Sequence, residues 1–160
     1  MQFPLNVGIS EVRGVVEIIK DHGDELSVSK LAEESGEDVD KIIPLLDVAE
    51  LLGLCNVENG VVKLTDSGKS ITLRNYAAII SKILINIEPF KSVVEALKNN
   101  SLNTTDLANI LKSKNIILLA DERNNIKILR SLLLKWGVRT KILSYDREND
   151  SWSLKTAAKT

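Results

Sequence analysis

Few residues in this 160-residue chain are of types that could do chemistry: one histidine, His22, one cysteine, Cys55, and a Gly68-Lys69-Ser70 triplet. His22 lies between carboxylates in Asp21-His22-Gly23-Asp24. Its polar surroundings read as an exposed turn between helices. Cys55 has apolar neighbours and no histidine beside it in sequence, the pattern of a buried structural thiol rather than a nucleophile. The carboxylates of Glu33-Glu34, Glu37-Asp38 and Asp40 lack histidine or cysteine company at metal-ligand spacing. Solvated helix faces account for them, and neither a catalytic group nor a metal or cofactor is expected.

The triplet ends a strand-to-helix passage, Val61-Val62-Lys63-Leu64-Thr65-Asp66-Ser67-Gly68-Lys69-Ser70, that imitates the close of a phosphate-binding loop. The full motif places a glycine five positions before the second glycine, so that backbone N–H groups can wrap the phosphates. Here that position is Lys63. The segment is expected not to bind nucleotide.

Basic residues form the remaining constellation. Arg123, Lys127 and Arg130 recur at helical spacing and share a face, with Lys135, Arg139 and Lys141 following. They are the candidate contacts for phosphate or for an acidic partner. Their setting is asymmetric: residues 1–75 carry 7 Lys/Arg against 14 Asp/Glu, while residues 76–160 carry 14 against 8, within a net charge of -1. A sign change between halves suggests two modules with different partners, or modules that attract one another.

The elements that must position these residues follow from periodicity and punctuation. Ser10 is expected to cap a helix with Val12, Val15, Val16 and Ile19 inside, ending near His22-Gly23. Ser27 or Ser29 opens a short helix over residues 30–34, closed by Gly36. A third helix spans about residues 38–52, kinked at Pro44 or starting later than its pattern suggests, and Gly53 stops it. Residues 54–57 and 61–64 read as strands around Glu58-Asn59-Gly60, since Asn-Gly suits a type I′ turn. Thr65 caps a further helix. The order is that of a winged helix, a helix-turn-helix extended by a β-wing.

The second half repeats the plan. One long helix is expected over about residues 75–99, interrupted by Pro89, then a short helix over residues 105–113 capped by Asn103 or Thr104. Asp121 caps a third helix with Ile126, Ile128, Leu129, Leu132, Leu133 and Trp136 as its apolar set, ended by Gly137. Residues 138–145 and 151–154 form a second hairpin around the polar turn 146–150. The expected fold is therefore mainly α with small β-wings (α+β): tandem winged-helix domains joined by a long helix. The domains are an acidic 1–74, a basic 75–154 and a small polar tail, 155–160.

Composition excludes several classes. A lone cysteine rules out an intramolecular disulfide scaffold, and no apolar run approaches the roughly 18 residues of a membrane span. Met1-Gln2-Phe3-Pro4 does not open a signal peptide, so a cytoplasmic protein is expected. Nucleic acid is the obvious ligand of a winged helix, whose third helix enters the major groove. In the first unit that helix carries Glu37, Asp38, Asp40, Asp47 and Glu50 against Lys41 alone, which a polyanion would repel. The basic second unit is permissive. Ile79, Ile80, Ile83, Leu84, Ile85 and Ile87 crowd the long helix nearly all round, so Ile80, Ile83 and Ile87 are the candidate association surface, for a homodimer or for the other unit.

Ser27-Val28-Ser29-Lys30-Leu31-Ala32-Glu33-Glu34, the 38–54 segment with Pro44 and Ala49-Glu50-Leu51-Leu52-Gly53, the Asn59-Gly60 wing and Leu64-Thr65-Asp66-Ser67-Gly68 together resemble the AAA-associated C-terminal domain. Lys135-Trp136-Gly137, Leu143-Ser144-Tyr145-Asp146 and Trp152-Ser153-Leu154 look like its closing segment. That domain follows the ATPase of ABC transporters of the nitrate, sulfonate and taurine type. The resemblance implies a non-enzymatic regulatory or protein-interaction module, partnered in cis or in trans with such an ATPase and peripheral to the membrane through it. It transfers no ATP site, because a nucleotide-binding domain is missing from this sequence. A DNA-binding transcriptional regulator using the basic unit is the alternative.

Overall fold

A computed structural model of the chain describes residues 7–116 and 122–155, with side chains from residue 125 onward in the second stretch. The architecture is α+β, largely helical with small antiparallel sheets. It divides into two compact units, the first ending at Tyr76 and the second beginning at Ala77.

The first unit runs α1 (Ile9–Asp21), β1 (Glu25–Ser27), α2 (Val28–Ser35), α3 (Val39–Leu51), β2 (Cys55–Glu58), β3 (Val61–Leu64) and α4 (Asp66–Ser70). Its core takes Val12, Val15, Val16 and Ile19 from α1, Leu31 from α2, and Ile42, Leu46, Val48 and Ala49 from α3. Ser10 does not cap α1. Gly8 holds that place, and its N–H donates to the Glu11 side chain at 3.1 Å. Ser27 does cap α2, its Oγ accepting from the Lys30 N–H at 3.1 Å, a contact worth about 1 kcal/mol. Gly36 closes α2 at φ 73°, in the left-handed region that glycine enters without the Cβ penalty of other residues.

Pro44 sits inside α3 and does not delay the start of the helix. It withholds the N–H that the Asp40 carbonyl would otherwise accept, and Asp40 is exposed to water that can replace it. Ile43, on the same helix, is 46% exposed. The Asn59-Gly60 turn has the expected form, with φ 53° and 76° and Glu58 paired to Val61. A strand that periodicity did not suggest, β1, pairs antiparallel with β3, giving the sheet order β1-β3-β2.

The second unit holds α5 (Tyr76–Leu84), which crosses the division, α6 (Phe90–Ala96), α7 (Thr104–Ser113), α8 (Glu122–Leu132), β4 (Leu143–Asp146) and β5 (Ser151–Leu154). The long joining helix over residues 75–99 is not present as one element. α5 ends at Leu84 in tightened turns, with Asn86 N–H to the Ile83 carbonyl and Ile87 N–H to that of Leu84, and α6 starts after Pro89. A proline at that depth in a helix has no N–H to give and clashes with the carbonyl four residues back. Gly137 also fails to end its helix. α8 runs on as π-helical turns, Leu133–Val138, so the second hairpin begins at Leu143 and not at residue 138. A Cβ on Gly137 would stand 2.5 Å from Leu143 Cδ1; this glycine is kept for close packing. The expected cap Asp121 lies outside the described residues.

The two units share an order: a helix, an extended residue paired to the hairpin, a capping residue, two helices, then the hairpin. Leu26 pairs with Val62 just before the cap Ser27. Likewise Leu102 pairs with Trp152 just before Asn103, whose Oδ1 caps α7 by accepting from the Asp106 N–H at 2.7 Å. No helix among the described residues is long and apolar enough to cross a membrane.

Candidate functional site

The basic residues of the second unit do not form one equivalent set. Lys127 on α8, Lys135 on the π-helical turns and Lys141 beyond them are exposed. Arg139 is exposed as well, and the side chain of Arg123 lies outside the described residues. Arg130 is only half-exposed and turns toward the hairpin, with Nη2 3.8 Å from Asp150 Oδ1. At that distance the contact is electrostatic rather than a hydrogen bond. The shared helical spacing of Lys127 and Arg130 therefore conceals different surroundings.

Asp150 is the centre of a polar network that the sequence did not reveal. Its Oδ1 accepts the Thr104 hydroxyl at 2.6 Å and the Tyr145 hydroxyl at 2.8 Å. Its Oδ2 accepts the Thr104 backbone N–H at 3.3 Å. Thr104 is fully buried, and its Oγ1 accepts the Trp152 indole N–H at 2.8 Å. Tyr145 and Trp152 stack with ring centroids 4.1 Å apart. Burial alone would push the Asp150 carboxyl up, but the bonds from Thr104 and Tyr145 and the charge of Arg130 hold it below the usual range. Burial, then Asp150 itself, pushes the Tyr145 hydroxyl up. The network ties the start of α7 and the face of α8 to the second hairpin. The turn 146–150 was legible as a turn, whereas the inward aim of its last carboxylate was not.

The triplet in the first unit is explained by packing. Lys63 lies on β3 and pairs with Glu25 on β1 at 3.6 Å. Thr65 Oγ1 accepts the Gly68 N–H at 3.2 Å, capping α4. Gly68 is buried, and a Cβ there would collide with the Leu54 carbonyl oxygen. No wrapped loop precedes Lys69, which is exposed.

His22 and Cys55 stand apart. His22 Nδ1 lies 2.9 Å from the Ile18 carbonyl oxygen and Nε2 3.7 Å from Glu34 Oε1. The Cys55 thiol is buried, and burial together with the charge of Glu50 pushes it up to about 12. Among the described residues no cluster of histidine, cysteine and carboxylate side chains could hold a metal ion.

The isoleucines of α5 and of the turns after it face different ways. Ile80 is fully buried within the chain, as is Leu84, and so is closed to a second copy. Ile83 and Ile87 are half-buried, and Ile85 is open at 41%.

Neither the curated proteins nor the solved structures offered a match to this chain. The sequence profile of the C-terminal AAA-associated domain matches residues 29–146, from the start of α2 to the end of β4 and so across both units. The chain belongs to the C-terminal AAA-associated domain family.

Proposed function

We propose that the chain is a non-enzymatic accessory module, built as two winged helices in tandem, that binds a cytoplasmic ABC transporter ATPase and regulates it. The family match over residues 29–146 carries this reading, because the domain is named for its association with ATPases. The winged-helix reading is supported by the repeated order in the two units, with an extended residue, a capped short helix, a longer helix and a hairpin in each. The division between the units at residues 76–77 supports a two-domain reading close to the expected boundary after residue 74. The non-enzymatic reading is supported by what occupies the imitation phosphate loop: a paired Lys63 and a glycine packed under a carbonyl.

The direct test mixes the purified chain with the ATPase of a nitrate-, sulfonate- or taurine-type transporter and follows binding by calorimetry and hydrolysis by phosphate release. Micromolar association with a changed hydrolysis rate supports the reading; no heat and no change at about 100 μM, well above such a dissociation constant, sinks it. Titration with a fluorescent ATP analogue and magnesium should show no saturable binding. Micromolar binding that Lys69→Ala abolishes would overturn the non-nucleotide reading.

One observation favours a second reading, a DNA-binding regulator: the exposure of Lys127, Lys135 and Lys141. Phosphate neutralisation by these lysines would give a salt-dependent affinity, each contact adding about 0.9 to the logarithmic slope. A mobility shift by the whole chain at about 0.15 M salt, lost in the triple alanine variant, would favour this reading over the first.

A further inference from the structure

Helix α3 carries its core residues Ile42, Leu45, Leu46, Val48 and Ala49 on one side. Successive helical residues turn by about 100°, which brings Val39, Asp40, Ile43, Asp47 and Glu50 within about 100° of arc on the other side. Val39 and Ile43 are 39% and 46% exposed, and the three carboxylates are exposed too. Among the described residues these carboxylates have no ion-pair partner, and the one lysine of α3, Lys41, is taken by Glu37 at 3.4 Å. The face is thus an apolar pair set among uncompensated negative charges.

Its complement stands on the same chain. Lys127 and Lys135 lie eight residues apart along α8 and its π-helical extension, both exposed and without an ion pair among the described residues. Half-buried Ile126 and Leu134 flank them. We propose that the α3 face of one molecule docks on the Lys127–Lys135 face of a second copy, with Val39 and Ile43 as the apolar centre and the opposite charges setting the register. In a two-fold pair each copy supplies both faces, so the contact closes on itself. A polyanion or an anionic lipid surface would be repelled by α3, whereas a second copy offers the required lysines with apolar flanks.

Sedimentation equilibrium of the whole chain at about 100 μM, a concentration that reveals dissociation constants up to the tens of micromolar, tests this. A dimer is expected at about 0.05 M salt and should weaken at about 0.5 M, where screening shortens the reach of each charge. The acidic-face variant Asp40→Lys/Asp47→Lys/Glu50→Lys and the basic-face variant Lys127→Glu/Lys135→Glu should each be monomeric alone. Mixed in equal amounts, they should associate again. Ile43→Ser alone should weaken the dimer about tenfold, because a two-fold pair then loses two partly exposed apolar side chains from its contacts. Melting curves report whether each variant is folded, and the single pair Asp47→Lys and Lys127→Glu gives the same comparison if a multiple variant loses its fold. A monomeric native chain, a dimer indifferent to both reversals, or a mixture that stays monomeric would each overturn the proposal.

Discussion

Asp150 shows how one side chain can tie a unit together without forming an active site. Its pKa lies below the ordinary value of 3.8, so its hydrogen bonds favour folding while the carboxyl is ionised. That contribution is complete above the unfolded value and is lost as pH falls through it toward the lower folded value. Asp150→Asn should therefore flatten the acid limb of stability below about pH 5 and change little of the limb's shape above it, which urea midpoints measured from pH 3 to 7 will show. Thr104→Val makes a sharper case. It leaves the buried Trp152 indole N–H without its acceptor, and an unmet buried donor costs about 1–3 kcal/mol. Gly68→Ala should cost a similar amount, about 1–3 kcal/mol, because its new methyl group meets the Leu54 carbonyl, and backbone cannot rotate away as a side chain can. A Gly68→Ala protein as stable as the native one in urea would refute the packing account of the Gly-Lys-Ser triplet.

Helix α5 and the turns that follow it pose the element-scale question: which of their isoleucines hold the fold and which only cover it. Ile80→Ala should cost about 2–5 kcal/mol, the range for emptying a closed core site, while Ile85→Ser, at a position 41% exposed, should cost less than about 1 kcal/mol. Equal losses would mean the helix is buried differently. The same helix shows where sequence reading stops. Apolar periodicity continues across Pro89 at helical spacing, so residues 75–99 read as one long helix interrupted at that proline; the interruption was legible, whereas the end of α5 as early as Leu84 was not. Strand β1 was illegible for another reason: Glu25–Ser27 has no local strand pattern and is extended because β3 pairs with it. The Asn59-Gly60 hairpin was legible because its signal is local, two residues that accept positive φ between two short apolar runs. Gly137 misled by analogy with Gly53. Gly53 stands at φ 74° and stops a helix, whereas Gly137 lies inside π-helical turns and makes room for Leu143. The basic stripe was legible as composition and spacing, but the diversion of Arg130 to Asp150 depends on a turn twenty residues away.

At the scale of the whole chain, each unit carries its own buried set: Val12, Val16, Ile19, Leu31 and Ile42 in the first, Leu129, Leu132, Leu133, Trp136 and Trp152 in the second. A domain of about 70 residues can sustain such a core alone, though with a modest margin. The sequence also places a different kind of intrinsic reporter in each unit. Both tryptophans belong to the second unit, and the sole cysteine, Cys55, belongs to the first. In the native state Cys55 is closed to reagent twice over, by burial and by a thiol pushed up to about 12, so that almost no thiolate exists at pH 8. Opening of the first unit removes both barriers, and the thiol then reacts as an ordinary one. Urea unfolding followed in parallel by tryptophan fluorescence and by Cys55 labelling should therefore give two transitions with separate midpoints. Ile80→Ala, placed in the second unit, should move the fluorescence midpoint by its full cost and leave the labelling midpoint in place. Coincident curves for the native chain, or equal displacement of both midpoints by that one substitution, would show a single cooperative unit and defeat the two-core account.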